Sequence, residues 1–331
     1  MLGLRLKARS PNHKQGFLWG LHLRNQLMLQ RKLQHLACTA AVFALATAGL
    51  TLAGTKPVLA EFEIQEAGIE KGEVELEYRG AYHWGLPKTG GGGVAAGKAD
   101  EEEEGEVEEE GEEVPLRQSH DFEMQMGITD WWMISTTLGT TVPAGFNWQV
   151  DSVELETQFQ LIKRHGNGIA LSFAIGYGWA TQPETANEVE FGPIAEFAVG
   201  KFLLTTNTFF SRQMGEFAET DDLGFEYGWR AEYDFAKHWG VGVEMFGEIE
   251  DLSNPGSFND QEHSIGPTLF WQPGGGEEDE EAGDVGEGDD DAKGKTPEPA
   301  QTEFSMNIGY QFGLTDVASD GALKFQGSLA F

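Results

Sequence analysis

Cysteine, basic residues and long apolar stretches are all scarce in this sequence. Cys38 is the only cysteine among 331 residues, so no disulfide can form within the chain. Lys and Arg total 22 against 55 Asp and Glu, and the net charge of −33 excludes a nucleic-acid binder, which must neutralise phosphates. After residue 60, no apolar run reaches the roughly 18 residues that a membrane-spanning helix needs. Because 40% of the residues are still hydrophobic, an acidic disordered chain is excluded as well.

The first 60 residues have the three parts of a secretory signal peptide. They contain eight basic residues and no acidic one, and an apolar run follows at 36–54. Val58 and Ala60 then supply the small residues at −3 and −1 of a cleavage site. We therefore predict a signal peptide over 1–60, with Met28 as an alternative start. A retained anchor at 36–54 is the other interpretation, and it is disfavoured by the cleavage site.

From residue 72 onward, apolar and polar residues alternate in segments separated by turn signals. In 73–84, for example, Val74, Leu76 and Tyr78 alternate with charged residues. Successive side chains of a strand point to opposite faces, so each segment has one apolar and one polar face. The predicted strands are 72–84, 119–128, 132–142, 148–163, 168–181, 187–199, 202–212, 222–235, 239–250, 261–272, 302–314 and 322–331.

The alternation fits either a soluble β-sandwich or a membrane barrel, and three features favour the barrel. Aromatic residues lie at the segment ends, as in interfacial girdles. The polar faces are strongly charged and rich in Gly, which suits a wet lumen. The chain also ends on Phe331, in phase with Leu329, and we predict these two residues as the signal for the barrel-assembly machinery. We predict an all-β fold: a transmembrane antiparallel up-and-down β-barrel of twelve strands over 72–331, with ten or fourteen as neighbouring counts.

Tight turns and longer links alternate between the predicted strands, as in bacterial barrels. Residues 61–71 precede the first strand and are predicted to be a periplasmic segment. Two acidic, Gly-rich inserts, at about 86–118 and 273–301, break the pattern. Their acidic tracts hold 21 of the 55 acidic residues, and such blocks of like charge are predicted to be disordered.

The polar strand faces carry far more carboxylates than basic groups. Rings of carboxylates in a pore favour cations. We predict a channel or transporter-like barrel for passive passage of small solutes, with a preference for cations. The alternative is a closed barrel, whose charged residues pair across strands and which acts as a structural or surface-interaction protein. The candidate pore-lining residues are Glu75, Glu77, Arg79, Glu154, Glu156, Glu190, Glu226, Arg230, Glu232, Glu244, Glu248 and Lys324.

Catalytic and metal-binding patterns are weak. His263 and Ser264 are adjacent on a predicted strand and must point to opposite faces, so they cannot form a nucleophile–base pair. An outer-membrane hydrolase is therefore disfavoured, and no enzyme, cofactor or specific metal site is predicted. Weak divalent-cation binding by the acidic tracts is the one alternative. The expected partners are outer-membrane lipids, the barrel-assembly machinery and a small solute, without nucleic acid, and the oligomeric state stays open.

Four stretches resemble a group of proteobacterial outer-membrane proteins, loosely joined with the meta-pathway phenol-degradation family of transporter-like barrels. The stretches are Gly127–Trp132, Val153–Arg164, Gly240–Asp251 and Gly313–Asp316. The resemblance spans 61–331 apart from the two acidic inserts. Its motifs are turn and strand signatures, so it implies a barrel and a transport-type role but no substrate or site.

Overall fold

The chain folds into a closed barrel of twelve antiparallel β-strands. A computed structural model describes residues 62–86, 115–218, 222–273 and 302–331. Each strand pairs with its neighbours in sequence, and β1 closes the ring by pairing with β12. The strands are β1 Val74–Trp84, β2 Leu116–Thr129, β3 Trp132–Pro143, β4 Gln149–Ile162, β5 Gly168–Ala180, β6 Asn187–Val199, β7 Phe202–Met214, β8 Gly224–Ala236, β9 Trp239–Ile249, β10 Glu262–Trp271, β11 Glu303–Gly313 and β12 Gly321–Ala330.

The predicted fold class and the count of twelve strands are confirmed. β2 begins at Leu116, so residues 116–118 belong to a strand and not to the predicted first insert. The predicted signal peptide, including Met28, Val58 and Ala60, lies outside the described residues, as do both acidic tracts. Within the described part of the chain, no helix has the length and apolar character needed to cross a bilayer.

Two prolines lie inside strands, where the loss of a backbone donor is costly. Pro193 is in β6, and the register between β6 and β7 skips residues 192 and 193. Pro267 is in β10, and the register between β10 and β11 likewise skips residues 266 and 267. Each proline is therefore accommodated where the ladder to the following strand is interrupted, while pairing to the preceding strand continues.

The alternation of the sequence becomes an apolar outer face and a polar inner face. On the outer face, Leu155 is 51% exposed and Ile169 is 55% exposed. Their strand neighbours Glu154 and Ala170 point inward and are buried. Outward-facing aromatic residues are exposed near the strand ends, as a membrane-spanning barrel requires. These are Tyr82, Trp131, Trp179 and Trp239.

The barrel has two unlike ends, which we call the short-turn end and the loop end. At the short-turn end, tight connections join β2–β3, β4–β5, β6–β7 and β8–β9. The turn at Gly200 and Lys201 requires a positive φ of 59° at Gly200, which glycine adopts without strain. The chain ends there too, where Val74 and Phe331 exchange two backbone hydrogen bonds of 3.0 Å. The loop end carries the connections that follow β1, β3, β5, β7, β9 and β11, including a 3₁₀ turn at Phe258–Asp260. The end of β10 and the start of β11 lie at the short-turn end, where Trp271 pairs with Trp239 and Glu303 pairs with Ala330.

Residues 62–71 run inside the barrel, which differs from their prediction as a periplasmic segment. Phe62 stacks on His83, one residue before the loop end of β1, at 5.6 Å between ring centroids. At the short-turn end, the Gly72 amide donates to the carbonyl of Gly127 at 2.8 Å. The segment therefore crosses the lumen from near one end to the other before the chain turns back into β1. We call residues 62–71 the lumen segment.

Candidate channel lumen

All twelve side chains predicted to line a pore lie on the inward phase of their strands, as the paired registers show. Glu75, Glu77 and Glu226 are half-buried, and Glu248 is exposed at the loop end. Whether these residues line an open pore stays a prediction. The buried ones are Arg79, Glu154, Glu156, Glu190, Arg230, Glu232, Glu244 and Lys324.

Arg79 is the centre of an acidic cluster on β1 and β2. Its guanidinium lies 2.6 Å from a carboxylate oxygen of Glu77 and 2.6 Å from one of Glu123. A third carboxylate, that of Glu63 in the lumen segment, lies 3.0 Å away. One cation thus faces three carboxylates in a site where all four side chains are at most 10% exposed. Such a cluster keeps an excess of negative charge even when every pair is formed.

Lys324 on β12 is held by a carboxylate and an aromatic ring. Its ammonium lies 2.6 Å from Glu244, and the ring centroid of Phe246 is 5.1 Å away. The hydroxyl of Thr268 donates to the same Glu244 carboxylate at 2.6 Å. Fully buried charges persist only when they are paired and hydrogen-bonded, and this pair meets that condition.

Arg230 on β8 joins the wall to the lumen segment. Its guanidinium donates to Glu66 at 3.0 Å, lies 3.6 Å from Glu232, and stacks 5.3 Å from the ring centroid of Phe270. The three basic residues predicted from the sequence therefore each pair with a carboxylate, and two of them pair with the lumen segment as well.

A second group of carboxylates lies toward the loop end. The strand register sets Glu226 opposite Glu248, and Glu248 opposite Glu262. Opposed like charges are unfavourable unless water or cations screen them. On the inner face of β4, Glu154 and Glu156 follow each other on one side of the strand. The wall is thus acidic along its length.

Some inward-facing residues were missing from the sequence-based set. Asp121, Glu123 and Glu196 are buried on the inner wall. The alternation of polar and apolar residues in 121–126 indicates that Asp121 and Glu123 face inward. Glu196 was obscured because its inward neighbours Ile194 and Ala198 are apolar.

The lumen segment contacts the wall mainly through its backbone. Asn207 accepts from the amide of Gln65 at 2.6 Å and donates to the Gln65 carbonyl at 3.0 Å. Glu196 accepts from the Ala67 amide at 2.8 Å. The Ala67 carbonyl accepts from Gln160 at 2.9 Å and from Ser172 at 2.7 Å, and the Glu66 carbonyl accepts from Gln158 at 2.9 Å. Four strands, β4 to β7, thus contribute to holding one extended stretch of main chain.

The histidines make contacts that the sequence did not indicate. His263 faces outward, where its Nδ1 lies 3.1 Å from the Tyr227 hydroxyl, and it does not pair with Ser264. His83 faces inward at the loop end, with its Nδ1 2.9 Å from the hydroxyl of Ser319. The His83 ring is 3% exposed and lies against Phe62, so the lumen segment covers this pair. Among the described residues, no group of acidic, His or Cys side chains has the arrangement of a metal site.

No protein-family model matches the sequence, and no curated protein matches it. Among solved structures, the chain is similar to the KdgM porin in complex with disordered oligogalacturonate, with 7% identity and a TM-score of 0.40 over 78% of this chain and 98% of that one. It is similar to the translocator domain of the autotransporter NalP from Neisseria meningitidis, with 10% identity and a TM-score of 0.39 over 91% and 97%. It is also similar to the Acinetobacter baumannii outer membrane protein Omp33, with 8% identity and a TM-score of 0.35 over 79% and 98%. The fold rests on the strand pairing above, and the resemblance to the meta-pathway family stays a prediction.

Proposed function

We propose that the protein is an outer-membrane channel for the passive passage of small solutes, with a preference for cations. The observation that carries the proposal is the acidic inner wall of a closed barrel whose outer face is apolar. The predicted pore-lining set contains nine glutamates against Arg79, Arg230 and Lys324, and each of these cations already has a carboxylate within 4 Å. The uncompensated charge of the wall is therefore negative, which attracts cations and repels anions.

The orientation follows from the connections. In bacterial barrels the tight turns face the periplasm and the longer loops face outward. We therefore place the short-turn end, with Val74 and Phe331, in the periplasm. Leu329 is exposed on the outer face of β12, where the assembly machinery would meet the predicted terminal signal. Outer-membrane lipids then surround the apolar band.

The closed barrel with a structural or surface role is the second candidate, and the lumen segment is the observation that favours it. Residues Ile64, Ala67 and Ile69 are buried inside the barrel, and each occupies space that a solute would need. A small barrel has little interior to spare. The two candidates therefore differ in one respect. A channel needs a conducting path beside the lumen segment or in the space that it leaves, and a closed barrel has no such path.

Single-channel recording separates the candidates. Folded protein reconstituted in a planar bilayer should produce discrete conductance steps in KCl, and the same preparation after boiling should produce none. Heat-modifiable migration on a gel would show beforehand that the barrel is folded. Folded protein that inserts and never conducts, with and without the lumen segment, would remove the channel and leave the closed barrel.

A further inference from the structure

We infer that the inner wall of β4–β7 is a binding site for an extended peptide, and that residues 62–71 fill this site in cis and close the channel. The inference deepens the proposed channel function, because a segment that binds reversibly can control the path it occupies. The wall site is defined by inward-facing side chains of β4 to β7, of which Glu196 also lies 3.3 Å from the guanidinium of Arg164.

The first argument is that the wall recognises main chain. Asn207 makes a reciprocal pair with the amide and carbonyl of Gln65, which is the pairing that a neighbouring strand would offer. Glu196 accepts from the amide of Ala67, and Ser172 donates to its carbonyl. Such contacts hold an extended backbone whatever its side chains are, as in other modes of strand-like peptide recognition.

The second argument is that the site selects a small side chain at one position. Ala67 is completely buried and packs with Ala170, Ala174, Ile194 and Phe209. A larger side chain there would overpack a filled pocket. At the adjacent Gly68, a Cβ would meet no atom within 4 Å, so this position imposes no such limit. A peptide bound in this register must therefore have a small side chain at position 67, whereas position 68 accepts a larger one.

The third argument is that the segment depends on the wall for its fixed position. Inside the barrel it is held without a strand ladder: between Gln65 and Ala67, its hydrogen bonds run to side chains of the wall. Its charged contacts are Glu63 with Arg79 and Glu66 with Arg230, and Glu66 is largely exposed. A segment held this way can leave without breaking the sheet, whose closure by Val74 and Phe331 lies outside it.

The test uses the mature chain lacking residues 62–70 and a fluorescent synthetic peptide with the sequence of residues 62–71. The peptide should bind the folded, truncated barrel saturably, and it should reduce the conductance of that barrel. A peptide with Ala67→Leu should bind about tenfold more weakly or worse, because overpacking of a filled pocket is strongly unfavourable. A peptide with Gly68→Ala is the matched control and should bind within about twofold of the parent.

A second pair of variants tests the same site in the full-length chain. Asn207→Leu removes both hydrogen bonds to Gln65, whereas Asn307→Leu changes an equally inward-facing, buried asparagine of β11 that bonds to Gln326. Only Asn207→Leu should raise the open probability of single channels. These two variants remain informative if the truncated chain does not fold.

The outcomes distinguish the peptide site from the channel. Selective binding without conductance in any form would support the peptide site and remove the channel function. Equal conductance of the full-length and truncated barrels would show that the segment closes nothing and would overturn the inference while the channel stands. Absence of saturable peptide binding, or equal binding of the Ala67→Leu and Gly68→Ala peptides, would overturn it as well.

Discussion

At the residue scale, the lumen is organised by three cations, which are paired with between one and three carboxylates each. Arg79 contacts Glu63, Glu77 and Glu123, and Lys324 contacts Glu244. Charge-assisted contacts of this kind are stronger than neutral hydrogen bonds. Removal of the cation leaves buried like charges facing one another, which is the costly way to break such a cluster.

The change Arg79→Gln should therefore destabilise the folded barrel by about 3 kcal/mol or more, because three carboxylates lose their shared partner. Urea unfolding in lipid vesicles, followed by Trp fluorescence, would measure it. The double change Arg79→Gln and Glu123→Gln removes one of the stranded charges and should recover part of the loss. If the Arg79→Gln variant were as stable as the parent, water and not Arg79 would be what screens the charges of this cluster.

A pH response is expected in the loop between β9 and β10. The Asp260 carboxylate accepts hydrogen bonds from the amide and the hydroxyl of Ser257, both at 2.8 Å, and these contacts lower the pKa of Asp260 below its usual range. A lowered pKa means that the contact stabilises the loop above the ordinary pKa of Asp and is lost as the pH falls through the folded value.

An NMR titration of the Asp260 carboxyl should show this lowered pKa, and Ser257→Ala should move it back toward the ordinary value. The parent chain serves as the reference. The backbone amide of residue 257 is retained in this variant, so a titration unchanged by Ser257→Ala would mean that the hydroxyl contact does not form in solution.

At the scale of elements, each strand owes its position to the alternation of its two faces. A shift of one residue would turn every apolar side chain into the lumen and every carboxylate toward lipid. This constraint is the reason why the twelve strands could be predicted from the sequence with bounds close to those observed. Pro193 and Pro267 did not disturb the strand prediction, because the alternation of apolar and polar residues continues through both.

A matched pair of neighbours on β11 tests the assignment of faces. Ile308 points outward and Asn307 points inward. The change Ile308→Lys should destabilise the barrel by about 2–4 kcal/mol, because a charge near the bilayer midplane is expensive. Asn307→Lys places the same charge in an acidic lumen and should cost far less. Unfolding in vesicles would compare them, and equal losses would contradict the assignment.

The acidic inserts belong to the element scale because they separate paired strands. β1 pairs with β2 over 74–82 and 118–126, and β10 pairs with β11 over 264–271 and 306–313. Deletion of both stretches removes 21 acidic and three basic residues, which changes the net charge from −33 to −15. We expect the barrel to keep its heat-modifiable band, because longer loops add little closure entropy, about 0.6 kcal/mol per doubling. Loss of that band would show that the inserts are structural.

At the scale of the whole molecule, the sequence predicts the inward-facing residues of the barrel wall, but it does not predict the segment that occupies the lumen. Inward-facing positions follow from strand phase, so the twelve chosen side chains all fall on the inner wall, whereas Asp121, Glu123 and Glu196 were missed. The lumen segment could not be predicted, because residues 62–71 precede the first strand and most of their hydrogen bonds are with side chains 91 to 164 positions away. The apolar residues Phe62, Ile64 and Ile69 were the available signal, since an exposed linker has no need of them.

The same contacts link the charge of the lumen to its closure. Glu63 and Glu66 bring two more carboxylates into an already acidic interior, and each approaches one of the wall's arginines. With the segment bound, the path is closed, and the full-length chain conducts only while the segment is displaced. The inner wall keeps its carboxylates whether the segment is displaced or deleted, so the preference for cations should be the same in the full-length and the truncated chain.

The reversal potential in a KCl gradient tests this account most directly. Bilayers containing either the full-length protein or the chain without residues 62–70 should give a reversal potential with the sign of potassium permeation. Its magnitude should be greater at 0.1 M than at 1 M salt, because the Debye length falls from about 10 Å to about 3 Å. A reversal potential with the sign of chloride permeation would contradict the acidic channel that we propose.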